Sequence, residues 1–246
     1  MKAAPAPRKR NDLSIYDRHA DDWWNERSYF AKSLHGLNDV RLREIADEIG
    51  SDLTGLTIID LGCGGGLLSE PLARRGANVI GIDISAASIA IARTHGRGVP
   101  GLNYVQGDAR QPPLPAGGAD VVLCADILEH VSQWPEVIKS AFHLLRPGGR
   151  CYCSTLNRSW FSALMAVHLS EGLGLVPRGT HDPAMCIRPD ELESTARQFG
   201  FTPGNRLGHR VRIWQTLKQW RICMARGNST AISYGAWLVR PLESAS

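Results

Sequence analysis

The chain has 246 residues, 43% of them hydrophobic, and a formal net charge of +4. That is enough to bury one full-sized core, and too little excess charge to imply a nucleic-acid partner by itself. No apolar run reaches the roughly 18 residues needed to span a bilayer, and "MKAAPAPRKRN" starts basic with no apolar stretch behind it, so a soluble cytoplasmic protein is expected.

In chain order, residues 1–12 read as a disordered basic tail and 13–246 as a single domain. Residues 13–50 form a helical cap: they hold the pair "WW" at 23 and 24 and the amphipathic run "LNDVRLREIADEIG", which ends at Gly50. The segment "YDRHADDWWN" is a candidate cover for a ligand, although paired tryptophans also serve plain packing. Short apolar runs then alternate with helical stretches. Strands are predicted near 57–62, 78–83, 102–106, 120–124 and 150–155, and helices near 66–75, 85–95 and 134–145. This alternation specifies a parallel sheet covered on both faces, an α/β fold. After the fifth strand, residues 158–190 form a long insertion, "RSWFSALMAVHLSEGLGLVPR" within it, which suits a lid over an apolar ligand. From Arg206 to Arg240 the chain carries Lys and Arg, Trp214, Trp220 and Trp237, and no acid. An anionic membrane surface, a nucleic acid and a solvated face compete for that stretch; scattered charge with tryptophan favours the first and nucleic acid is the weakest. "ISYGAWLV" is predicted to close the sheet. The six cysteines, Cys63, Cys124, Cys151, Cys153, Cys186 and Cys223, form no CxxC pair and are expected as free buried thiols.

The stretch "TIIDLGCGGGLLSEPLARRGANVIGIDIS" carries the chemistry. Gly62, Gly64 and Gly66 follow Asp60 at a strand-to-helix turn, where glycine permits positive φ and close approach of a ligand to the main chain. The dinucleotide pattern GxGxxG fails, because its third glycine would fall at Leu67. Asp60 brings negative charge beside the loop, which disfavours a pyrophosphate and suits a ligand with ammonium and sulfonium groups, the charge pattern of S-adenosylmethionine. Asp83, at the end of the second strand, can accept from both ribose hydroxyls, and Asp108, after the third, can take an adenine amino group. The plainer alternative for these acids is turn and helix capping.

"DLGCGGG", "GIDIS" and "LLRPGGR" resemble the class I S-adenosylmethionine-dependent methyltransferases. More narrowly, "LHGLNDVRL", "CADILEHV", "STLNRSW", "VPRGTHD" and "IRPDEL" are similar to the O-methyltransferases of ubiquinone biosynthesis, which act on demethylubiquinone and polyprenyl catechols. The likeness runs from about Tyr16 to Phe201, and departs at Asp126, where the family has glutamate. It implies a Rossmann-like fold with a mostly parallel seven-stranded sheet. It assigns donor contacts to Arg41, Gly62, Asp83 and the main chain at Ala125; Asp60, Gly64, Ile84, Asp108 and Ala109 complete the expected donor site. Membrane contact at the inner face is the further implication for an enzyme fetching prenylated substrates.

Methyl transfer from a sulfonium is an in-line displacement, so the protein must align donor and acceptor and relieve a phenol, of pKa near 10, of its proton. Asp126, Glu129 and His130 follow the fourth strand, where open α/β sheets bind ligands. A tight turn can converge them, and two carboxylates with one imidazole suit magnesium or another divalent cation. The resemblance implies a metal at these three positions. A metal-free base at His130 and a merely supporting role for Glu129 and His130 stay open. His181 and Asp182 in "GTHD" are candidates for orienting substrate. The expected activity is O-methylation of a catechol or phenol, with a prenylated ubiquinone precursor as first choice and a phenol, sugar or amine of secondary metabolism as second; a cofactor-binding scaffold without turnover is the rival from another class.

Overall fold

The computed structural model describes residues 11–243, so most of the expected tail lies outside the described residues. Asn11 and Asp12, assigned to that tail, are engaged: Asp12 accepts from Ser14 and pairs with Arg18 at 2.9 Å. Helix α1 (Ser14–Arg18) and α2 (Tyr29–Ile49) build the cap. Helix α2 starts where the Ser28 hydroxyl accepts from the Phe30 N–H, and stops at Gly50, whose φ of 95° an L side chain rarely adopts.

The sheet then follows: β1 (Thr57–Leu61), α3 (Ser69–Ala73), β2 (Asn78–Asp83), α4 (Ala86–His95), β3 (Leu102–Gln106), β4 (Ala119–Ala125), α5 (Trp134–Leu144) and β5 (Leu145–Leu156). Helix α3 is shorter than predicted because Gly66 sits at φ 86°, outside the helical region. The insertion forms α6 (Trp160–Ser162), a π-helical turn (Ala163–Leu169) and α7 (Ser170–Gly172). After it come α8 (Pro189–Gln198), β6 (Thr202–Val211), α9 (Ile213–Gln219), β7 (Met224–Gly227) and β8 (Ser233–Val239).

Strand order is β3-β2-β1-β4-β5-β8-β6-β7, with β1 to β5 parallel and the last three joined antiparallel. The sheet therefore has eight strands rather than seven. The extra one is β7, which pairs with β6 inside the basic stretch whose scattered charge gives no alternating pattern. "ISYGAWLV" does supply an inner strand, with Trp237 and Tyr234 fully buried.

Both faces are covered. Ile59, Leu61 and Val122 pack with Val137, Ile138 and Leu192 from α5 and α8. Ile58, Val121 and Tyr152 pack with Ile45 and Leu72 from α2 and α3 on the opposite face. A buried polar clamp fixes α2: Glu44 accepts from the Tyr152 hydroxyl and bonds His209 at 3.0 Å, tying the helix to β5 and β6. All six cysteines are free and buried.

The glycine turn is shaped by packing as well as by φ. Gly64 stands at φ 52°, and a Cβ there would lie 2.5 Å from the Trp23 ring. Gly117 has φ 76°, and a Cβ there would meet nothing within 4 Å, so it isolates the conformational cost. Gly64→Ala is expected to cost more than Gly117→Ala, each of order 1–3 kcal/mol for the left-handed backbone, with the excess measuring the Trp23 clash. Thermal melts of the two variants check it.

Candidate functional site

Two adjoining cavities open at the carboxyl ends of β1, β2 and β4. The larger, of about 560 Å³, is lined by all the positions expected for the donor: Arg41, Asp60, Gly62, Gly64, Asp83, Ile84, Asp108, Ala109 and Ala125. The smaller, of about 180 Å³, is mainly apolar, and Asp126, Glu129, His130 and His181 supply its polar wall. Tyr16, Leu34, Arg41, Asp126 and His130 line both. These five ring the passage between them.

The floor of the larger cavity is the glycine turn. Gly62 and Cys63 N–H groups donate to the Ile82 carbonyl, and the Gly64 N–H donates to Asp83 Oδ2 at 2.9 Å. Asp83 Oδ1 accepts from the Ser85 N–H, also at 2.9 Å, so each oxygen keeps a lone pair for a ligand. Burial raises the Asp83 pKa from its ordinary value, against those backbone bonds. Asp60 is 2% exposed, and burial pushes it up to about 7, although Ser69 Oγ donates to it at 2.6 Å. A carboxylate so deprived of water is stabilised by an incoming cation. Asp108 differs: the Arg110 guanidinium donates to both its oxygens at 2.6–3.1 Å and holds its pKa down. The role expected of it, accepting from an adenine amino group, therefore competes with a neighbour that the pattern of strand-end acids does not reveal. Ile84, 63% exposed, offers an apolar wall where a planar base can lie.

Arg41 reaches the passage from α2. It donates from Nε to Ser154 Oγ at 3.1 Å and from Nη2 to Asp126 Oδ1 at 2.5 Å. Asp126 itself sits at φ 52°, a strained value for a side chain other than glycine and frequent at binding sites.

The next turn, Leu128–His130, buries Glu129 and His130. Thr155 donates to Glu129 Oε2 at 2.8 Å, while Glu129 Oε1 is buried with no hydrogen-bond partner. Burial and the charge of Asp126 push the Glu129 pKa up to about 8. Burial keeps His130 neutral, its pKa down to about 3. Its ring contacts Tyr16 Oη at 3.0 Å and Asn11 Oδ1 at 2.8 Å and lies against His181, with centroids 5.3 Å apart. Asp182 instead accepts from the Ala184 N–H, which makes it a turn residue.

The donor set of Asp126, Glu129 and His130 suits a hard divalent cation, and the orphaned Glu129 oxygen is one ligand such an ion would satisfy. The other two are engaged, Asp126 by Arg41 and His130 by Tyr16 and Asn11. Among the described residues, the only three metal-binding side chains with ligand atoms within 4.8 Å of one another are Cys124, Cys151 and Cys153, inside the core.

Sequence reasoning does not single out Asn11 or Arg110, and it marks Tyr16 and Trp23 only as members of the candidate cover "YDRHADDWWN". Trp23 covers the glycine turn, and Trp24 Nε1 donates to the Gly65 carbonyl at 2.9 Å, so the paired tryptophans do both packing and roofing.

Comparison with known proteins matches residues 59–153 to the Methyltransferase domain family. The ubiquinone biosynthesis O-methyltransferase of Cronobacter sakazakii is 44% identical over 185 residues, 74% of this chain and 75% of that one. The protein of that name from Pseudomonas aeruginosa is 42% identical over 194 residues, covering 77% and 82%. In fold, the chain is similar to magnesium protoporphyrin IX methyltransferase from Synechocystis, solved with bound SAH, at a TM-score of 0.67 and 20% identity over 93% of this chain and 95% of that one. With the glycine turn, its acids and this identity over most of its length, the chain belongs to the ubiquinone biosynthesis O-methyltransferase family of S-adenosylmethionine-dependent enzymes.

Proposed function

We propose that this protein methylates a phenolic hydroxyl of a catechol bearing a prenyl chain, an intermediate of ubiquinone synthesis. The single observation that carries this is the pairing of a polar, acid-lined cavity with an apolar one through a passage that presents both charged and imidazole groups. S-adenosylmethionine, when bound, supplies a methyl group already activated by its sulfonium. Asp83 holds the ribose hydroxyls, Asp60 faces the cationic portion, and Arg41 is the partner for the methionine carboxylate, shared with Asp126. The apolar cavity excludes water and admits a hydrophobic acceptor, and a sugar or amine finds few polar partners there.

The acceptor hydroxyl must lose its proton as the bond to carbon forms. Glu129 is the group best matched to receive it: its Oε1 has no other partner, and its pKa of about 8 lies nearer the phenol than an ordinary carboxylate does. His130, shifted to about 3, is a weaker base and serves better as an oriented neutral group. A divalent cation held by Asp126, Glu129 and His130 would add Lewis acidity that lowers the phenol pKa. Asp126 and His130 would then exchange their present protein partners for it.

Peripheral attachment to a membrane is the companion reading. Trp160, Leu164, Leu169 and Leu173 of the insertion are exposed, as are Ile213, Trp214, Leu217 and Trp220 on and beside α9. Leu169, Leu173, Ile213 and Leu217 also line the apolar cavity, so the mouth of that cavity is continuous with the exposed apolar surface. Among the described residues no helix is long and apolar enough to cross a membrane.

Incubation with labelled S-adenosylmethionine and a panel of prenylated catechols, simple catechols and amino sugars tests the substrate; transfer to the sugars alone would overturn it. Glu129→Gln is expected to lower kcat by about 10²–10⁴-fold, the span of general base catalysis. A base must be ionised to act and burial raises the pKa of this one, so wild-type kcat/KM should rise with pH through about 8. The glutamine variant should lose that inflection. A chelator titration separates the proton acceptor from the cation: loss of activity in EDTA, restored by magnesium, assigns the cation. For attachment, Trp160→Glu with Trp214→Glu, two exposed residues that line neither cavity, should lower association with anionic phospholipid vesicles at least tenfold in flotation assays, while leaving turnover of a water-soluble catechol within about twofold, the range of a surface change remote from the passage.

A further inference from the structure

The hydrogen bonds around His130 have a direction that can be deduced. Asn11 Nδ2 lies 3.1 Å from the His130 main-chain oxygen and 3.2 Å from Met185 Sδ. A carbonyl only accepts, so the nitrogen of the amide must face it, and the amide oxygen must be the atom 2.8 Å from His130 Nδ1. That oxygen also only accepts. The proton of the neutral ring is therefore on Nδ1, Nε2 is bare, and the Tyr16 hydroxyl at 3.0 Å donates to it. Having spent its proton there, the Tyr16 oxygen is an acceptor toward anything in the passage, and Tyr16 lines both cavities.

The Tyr16 ring is fixed in place by its neighbours. It stacks on Trp23 with centroids 5.9 Å apart at 12°, and meets Phe30 edge-on at 6.0 Å. Trp23 Nε1 donates in turn to Ser88 Oγ at 3.1 Å, and its ring covers the glycine turn. The position of Tyr16 is thus tied to the floor of the donor cavity.

We propose that Tyr16 is the residue that recognises and positions the catechol through its second hydroxyl, the one beside the oxygen that Glu129 deprotonates, with His130 and Asn11 setting its polarity. That second O–H donates to Tyr16 Oη, Tyr16 O–H donates to His130 Nε2, and His130 Nδ1–H donates to Asn11 Oδ1. Every bond in this chain runs the same way, so it selects a catechol whose second oxygen still carries a proton and rejects one in which that oxygen is already alkylated. The inference rests on the reading of the smaller cavity as the acceptor site.

The test is Tyr16→Phe, which keeps the stacked ring and removes the hydroxyl. With a prenylated catechol, KM should rise about three- to tenfold, the worth of one hydrogen bond, while the dissociation constant for S-adenosylhomocysteine stays within twofold and the thermal midpoint barely moves. Asn11→Ala should shift KM in the same direction by less. In ¹⁵N NMR of the histidine-labelled protein, with the His130 signals assigned by their loss in His130→Gln, wild type should show Nδ1 protonated. Tyr16→Phe should shift Nε2 toward the value of a ring nitrogen without a donor. An unchanged KM in Tyr16→Phe, or an Nε2-protonated His130 in wild type, overturns the proposal. Should no phenol be methylated at all, the assignment of the acceptor fails, and the NMR result still decides the direction of the chain.

Discussion

A single buried guanidinium holds the site together. Arg41 projects from the helical cap into the passage and binds two strand ends at once, Ser154 at the end of β5 and Asp126 just beyond β4. Removed from water and flanked by a carboxylate, it stays charged, and its charge offsets that of Asp126 and in part that of Glu129. A buried charge without such a partner would be costly, so helix and strands must arrive together. The Glu44 clamp one turn along α2 acts alongside it, binding the same helix to β5 and β6 on the opposite side of the sheet from α5 and α8.

The electrostatics of the two cavities differ. Around the glycine turn, Asp60 and Asp83 are acids pushed upward by burial, arranged to be relieved by positive charge. Around the passage, His130 is neutral, Glu129 has a raised pKa, and the charges of Arg41 and Asp126 offset one another, so little net charge faces the apolar space. The first cavity suits a cationic ligand, the second an apolar one.

Much of this is legible in the chain. The strands from β1 to β4 are runs ended by Asp or Gly, and the acids that end them lie where a parallel sheet must present its ligand edge. The glycines and strand-end acids expected for the donor follow from that, whereas Arg41 and the main chain at Ala125 rest on the family resemblance; all of these positions line one cavity. The rest depends on contacts far apart in sequence. Asn11 meets His130 across 119 positions, and nothing local marks Asn11 as more than the end of a tail. The spacing of Asp126, Glu129 and His130 suggests a converging triad, but the positive φ at Asp126 and the tight turn after it send its side chain toward Arg41. Strand β7 is hidden because its four residues show no clean alternation of burial, and Asp108 is less free than its place at a strand end implies because its clamp, Arg110, stands only two residues away in "GDAR".

The polar cavity is rimmed by exposed Ser14, Asp17 and Ser132, and the apolar one by Leu169, Leu173, Ile213 and Leu217. Each compartment thus has its own doorway, suited to a different solvent. A water-soluble donor and its spent form can exchange on one side while a greasy acceptor waits undisturbed on the other, so neither reactant needs to cross the territory of its partner.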